Sequence, residues 1–370
     1  MCKQSLAFCL FLGLFSGIMS AQAADVPTSM VPAAVFFPVL PVEAAPDAEP
    51  ELLPVASNHP LNGDHTGITR AVIVVHDFSR DAGHALSELS GLAGNDNNNT
   101  LIIAPQFLLE SDITRFADHL PDNGKNFARW PLGGWNSGGD SLQLGRNQGI
   151  SSFTVMDLLL MYLADKTAFP ALTQVTIAGH GEGGDFVQRY AAAGQATGLL
   201  NQQNILVRFL VGDASSYVYF TTSRSQNGKQ VTDVANTASG CADYNSWPYG
   251  LEAPNNYVKH VGANAIKLGY VMRPVIYIVG ASPAHADPAP DNSCAATMQG
   301  SNRPGRAAAY QTYLATTFGE TAQKLHSFSI LTNTGYDDSA IYGSPCGVSV
   351  LFGDGMCTPA QTNNILVVKP

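Results

Sequence analysis

Residues able to do chemistry crowd one corner of the chain. Val175 to Tyr190 reads VTIAGHGEGGDFVQRY. A β-branched apolar run, Val175 to Ala178, meets Gly179-His180-Gly181-Glu182-Gly183-Gly184, and a helix-like segment follows at once. A strand–turn–helix corner of this kind holds its central residue on a strained, exposed turn, where a serine would serve as nucleophile. The central residue here is Gly181. The frame is present and the reacting side chain is absent. Glu182 reads as a first-turn carboxylate favoured by the helix N-terminus. His180, next to the turn, reads as a packing residue whose side chain points away from it.

Other candidates are scattered. His285 and Asp287 lie two apart in one loop, an imidazole and a carboxylate that could form a relocated base. Ser215 and Ser216 follow a strand end and read as local caps. Asp96, Asp291, Asp337 and Asp338 lack the regular spacing of a calcium loop, so solvated turns are expected and neither metal nor cofactor is implied.

The elements that must position these residues alternate in type. Ala71–Val75, Leu101–Ala104, Val175–Ala178, Ile205–Val211, Val275–Gly280 and Phe328–Leu331 are apolar runs of strand length. Helical patterns separate them: one capped by Ser79 or Asp81 and running to about Leu92, one from Ser151-Ser152 through Asp165, and one over Arg306–Phe318. Continuous apolar strands alternating with helices imply a parallel sheet covered on both faces. Gln106 to Gln148 has little periodicity and reads as a long ordered loop, with Trp130 and Trp135 packing inside it. Ala214 to Met272 reads as a loop-rich insertion over the sheet edge.

The 370 residues carry a net charge of −10 and only 13% charged residues. That balance excludes general nucleic-acid binding through phosphate neutralisation. Lys3, the apolar run Leu6–Met19 and the small-x-small site Ala21-Gln22-Ala23 mark residues 1–23 as a signal peptide, so the mature chain is expected to be secreted or periplasmic, without a membrane span. Residues 24–65 are rich in Ala, Pro, Val and Glu and read as a linker or disordered arm, leaving one domain over 66–370. Once Cys2 and Cys9 leave with the signal, Cys241, Cys294, Cys346 and Cys357 remain. An even number in an exported chain suggests two disulfides. Of three pairings, the local one joins Cys346 to Cys357 and leaves Cys241 with Cys294.

On these features the chain resembles the α/β-hydrolase family over roughly residues 69 to 350. The resemblance rests on His76 after the first parallel strand, the elbow at 179–183, the loop after Gly280, and the turn Gly335-Tyr336-Asp337 after the last strand. It also looks like secreted microbial hydrolases in Gly183-Gly184-x-x-Val187-Gln188-Arg189-Tyr190, Ser215-Ser216-Tyr217 and Ser293-Cys294-Ala295-Ala296. The family's order is nucleophile, acid, histidine. Carried over position by position, the nucleophile falls on Gly181, the acid on Pro283 and the base on Tyr336. The resemblance makes the backbone N–H groups of Phe78 and Glu182 the oxyanion donors, His76 a structural histidine of their loop, and Asp77 a carboxylate where the family has glycine.

A triad degenerate at all three positions leads to the expectation of an inactive hydrolase-like protein that binds a small molecule, polymer or protein in the old cleft. The rival is an active hydrolase of the esterase, peptidase or depolymerase class with a relocated site at His285 and Asp287. A third reading is an envelope or adhesion component tethered by the Pro-rich arm.

Overall fold

A computed structural model of the chain describes residues 35–39, 51–117, 120–144, 148–226, 229–231, 240–283, 286–353, 357 and 365–366. The signal segment, most of the Pro-rich arm and His285 lie outside these residues. Among the described residues the main sheet has nine strands: β1 Val35–Val39, β2 Glu51–Ser57, β3 Arg70–Val75, β4 Thr100–Pro105, β5 Gln174–His180, β6 Leu206–Gly212, β7 Val275–Gly280, β8 His326–Leu331 and β9 Ile365–Leu366. Their order in space is β1-β2-β4-β3-β5-β6-β7-β8-β9. The six from β4 to β8 run parallel, and β1, β2 and β9 add antiparallel edges.

The apolar runs form the buried centre of this sheet, and their alternation divides the core in two. Ala71, Ile73 and Val75 face one layer, with α2 Ser152–Leu163 and α3 Glu182–Ala193. Val72 and Val74 face the other, with α1 Ala82–Ala93 and a C-terminal helix, Pro345–Phe352. Asp81 caps α1 by accepting from His84 N, and Ser151 caps α2 by accepting from Phe153 N, so both helices start where cap chemistry expects them.

One expectation needs correction. Residues 24–65 are not arm throughout: 35–39 and 51–57 are strands of the sheet. Their prolines are tolerated because β1 is the outermost strand and β2 meets β4 only over Val55–Ser57, so Pro54 interrupts no ladder there. The loop-rich insertion after Ala214 carries short helices at Asn256–Val261 and Ala263–Val271. Within the long loop, Trp130 and Trp135 are both 1% exposed and packed with Phe107. The cysteines pair Cys241–Cys294 and Cys346–Cys357, with Cα separations of 5.8 and 4.9 Å.

Candidate functional site

The site lies at the carboxyl ends of β3, β5 and β6, with the turn after β8 above it. Gly181 stands between β5 and α3 at φ +58° and ψ −120°, a left-handed conformation that favours glycine. Its N–H bonds to Gly212 O at 3.0 Å. The elbow is packed tightly: a Cβ at Gly179 would overlap the backbone of Gly183, and one at Gly184 would overlap Gly212 O.

The space in front of Gly181 is occupied. Asp77 turns its carboxylate into it, and Oδ1 accepts from Phe78 N at 2.7 Å and from Glu182 N at 2.8 Å. The Tyr336 hydroxyl donates to Asp77 Oδ2. A Cβ built on Gly181 would overlap both Tyr336 Oη and Asp77 Oδ1. The carboxylate therefore takes the volume of a nucleophile and bonds the two donors assigned by resemblance to an oxyanion.

Three further groups fix this arrangement. His180 is 4% exposed; its Nε2 donates to Asp213 Oδ2 at 3.1 Å, and its Nδ1 lies 3.7 Å from Asp77 Oδ2. Burial works against a charged ring, but bonding to Asp213 and Asp77 prevails and pushes His180 up to about 9. The two carboxylates thus favour the imidazolium form of the ring at neutral pH. Asp77 is held below its ordinary value: burial opposes this, and the bond from His180 leads the groups that outweigh it. Asp213 also accepts from Gly280 N at 2.8 Å, which ties β6 to the end of β7. Arg303 donates to Asp213 O, pairs with Asp287 at 2.6 Å, and holds its guanidinium 4.7 Å from the Tyr336 ring centroid.

The loop carrying Asp77 is clamped from behind. His76 is buried and accepts from Phe107 N at Nε2, so Nδ1 carries the proton and donates to Asp77 O. Burial depresses its pKa to about 4, which agrees with a neutral ring. Arg80 grips Asp112 with two bonds, at 2.6 and 3.0 Å, and donates to Phe78 O at 2.6 Å. Phe78 N is thereby aimed at Asp77.

No known sequence family matches the chain, and no curated protein is detectably similar to it in sequence. Solved structures do match. The poly(3-hydroxybutyrate) depolymerase LpqC from Bordetella parapertussis is 17% identical at a TM-score of 0.54, over 89% of this chain and 93% of that one. Poly(aspartic acid) hydrolase-1 from Sphingomonas sp. KT-1 is 16% identical at a TM-score of 0.51, over 85% and 97%. The chain has the α/β-hydrolase fold.

The three positions that the resemblance assigned to nucleophile, acid and base do not all come together. Gly181 and Tyr336 meet, through Asp77 rather than through each other. Pro283 is exposed in the turn after β7. Of the relocated pair, His285 lies outside the described residues, and Asp287 is engaged by Arg303. His180 is not a mere packing residue, because its ring bridges two carboxylates within the site. Sequence reasoning missed Asp213 and Arg303. Asp213 offered one signal, an acidic residue directly after an apolar strand. Arg303 offered none, since its partners come from three separate loops. Ser215 bonds Asp185 through both N and Oγ, and Ser216 Oγ accepts from Arg189, so both are spent on local structure. Glu182, the first residue of α3, is pushed up to about 7 by burial and then by Asp185 and Asp77.

Beside the cluster is a cavity of about 350 Å³ lined by Asp77, His84, His180, Tyr336, Asp338 and Tyr342, among others. His84 and Asp338 pair across it at 3.0 Å. Among the described residues, no group of three or more His, Cys, Asp or Glu could hold a metal ion, and no helix is long and apolar enough to cross a membrane.

Proposed function

We propose that this chain is a catalytically silent protein of the hydrolase fold that binds a ligand in the cavity beside the former reaction centre. One observation carries the reading: Asp77 Oδ1 accepts from both Phe78 N and Glu182 N in front of a side-chain-less Gly181. Acyl transfer needs a nucleophile and a vacant pair of donors for the developing oxyanion. Here the first is missing and the second is taken by a fixed negative charge. Losing triad members costs roughly 10⁴–10⁶ in kcat, and losing an oxyanion donor costs about 10²–10³. Tyr336 cannot substitute as base. Burial and the neighbouring Asp77 raise its pKa, and its proton is committed to Asp77.

The apolar run and cleavage site at the N-terminus, with the two disulfides, support a secreted or periplasmic location. The remaining cavity suits a small molecule or one unit of a longer chain.

The test is hydrolysis of short-chain p-nitrophenyl esters and a capped dipeptide ester by purified protein. Rates equal to a boiled control are expected. Turnover well above that control, abolished by Asp77→Ala, would overturn the reading.

A further inference from the structure

We propose that the elbow is a carboxylate site of three hydrogen-bond donors and one facing imidazole, which the chain fills with its own Asp77. The inference goes beyond catalytic silence and does not depend on it. The donors are Phe78 N and Glu182 N on Oδ1 and the Tyr336 hydroxyl on Oδ2; His180 Nδ1 faces Oδ2 from 3.7 Å as an ion-pair partner. Two are main-chain groups fixed by a strand end and a helix start. One is a phenol whose ring is flanked by Arg303 at 4.7 Å and by His180, with centroids 4.4 Å apart. The imidazole is held by Asp213, which is 1% exposed.

These donors do not depend on Asp77 for their position. His180 is oriented by Asp213, Phe78 by Arg80 and Asp112, Glu182 by the helix it begins, and Tyr336 by its stacking partners. A cage assembled from outside in this way should keep its shape when the internal carboxylate is cut back. The nearby His180 charge and the backbone N–H bonds to an ionised oxygen favour a carboxylate over a neutral ester or amide. Access is available, because Asp77 lines the cavity and its side chain is 16% exposed.

In the native chain the tethered carboxylate competes at high effective concentration. A free carboxylate is therefore excluded, and a cleft ligand must bind without placing an anionic group in the cage. The ligand class for the uncovered cage is a small monocarboxylate, with formate and acetate the sizes that replace an aspartate head.

The experiment follows melting of the full-length chain at pH 7.5 in sodium chloride and in sodium acetate or formate of equal ionic strength. Wild type is expected to melt at the same temperature in all three. Asp77→Ala is expected to melt lower in chloride and to recover at least half of the loss in acetate or formate, with saturation. Acetamide should give no recovery. Asp77→Ala combined with Tyr336→Phe should need about tenfold more acetate. Should Asp77→Ala fail to fold in chloride, refolding yield replaces the melting curve: a yield raised by acetate over chloride supports the cage. Acetate recovery no greater than that in chloride, in melting or in yield, overturns it, as does recovery indifferent to Tyr336→Phe.

Discussion

Gly181 is the residue on which the site turns, and its role is steric as much as chemical. A serine there would carry a Cβ into Tyr336 Oη and Asp77 Oδ1, at a φ of +58° that L side chains rarely adopt. The left-handed backbone costs about 1–2 kcal/mol, and overpacking adds roughly 1–3 kcal/mol. Gly181→Ser is therefore expected to lower the denaturant midpoint while leaving ester hydrolysis at background. Ester turnover by this single variant would show that a base stands within reach of the elbow. Tyr336→Phe removes one donor from Asp77 without opening a large void, and about 1 kcal/mol of lost stability is expected by urea titration. The glycine and the tyrosine were legible in the sequence because a strand–turn–helix corner and a post-strand turn have fixed positions in the chain order. The direction of the Asp77 side chain was not. It is set by Tyr336, 259 residues away, and by the backbone donors of two different elements.

At the scale of elements, strands and helices were readable where apolar patterning and caps act locally. The β-branched runs at 71–75 and 275–280 and the Asp81 and Ser151 caps needed no distant partner to be found. β1 and β2 were hidden because their prolines carry a local signal against strand; they are accepted because β1 is outermost and β2 meets β4 only beyond Pro54. The same reasoning explains the lock across the strand ends. His180 closes β5, Asp213 follows β6 and accepts from Gly280 at the end of β7, and Asp77 follows β3. Its titration has a definite sign. The pKa of His180 is raised from 6.5 to about 9, so its contribution is complete below pH 6.5 and disappears as pH rises through 9. Asp77 is lowered, so its contribution is present above 3.8 and is lost on acidification. His76, depressed to about 4, also withdraws stability as pH falls below 6.5. Unfolding free energy is expected to fall by roughly 3 kcal/mol as pH rises from 6.5 through 9. The buried tyrosines have raised values and contribute only above their ordinary 10. A His180→Gln variant should start lower and keep only the slope below about pH 8 that Glu182, raised to about 7, contributes. An unchanged slope would assign the alkaline loss to another group.

For the whole molecule, the two disulfides act on different parts of the unfolded chain. Cys241–Cys294 spans 53 residues and Cys346–Cys357 spans 11. In the chain-entropy account these loops are worth roughly 4 and 3 kcal/mol. Cys241→Ser with Cys294→Ser is expected to destabilise more than Cys346→Ser with Cys357→Ser, as read from denaturant midpoints. The reverse order would mean that native contacts around the second bridge outweigh loop closure. Neither pair touches the lock, so both double variants should keep the alkaline slope set by His180.

The filled space before Gly181 also bears on what a triad would require in this fold. A serine placed at 181 alone drives its Cβ into a phenol and a carboxylate. Removing Asp77 alone strips two backbone donors and a phenol of their common acceptor, and His180 of a facing charge. A histidine placed at 336 alone gives up the hydroxyl that holds Asp77 and meets no serine to activate. On the proposed silent reading, each single change is expected to lower stability without adding activity. The cluster would then act as a ratchet, crossed only by several changes at once.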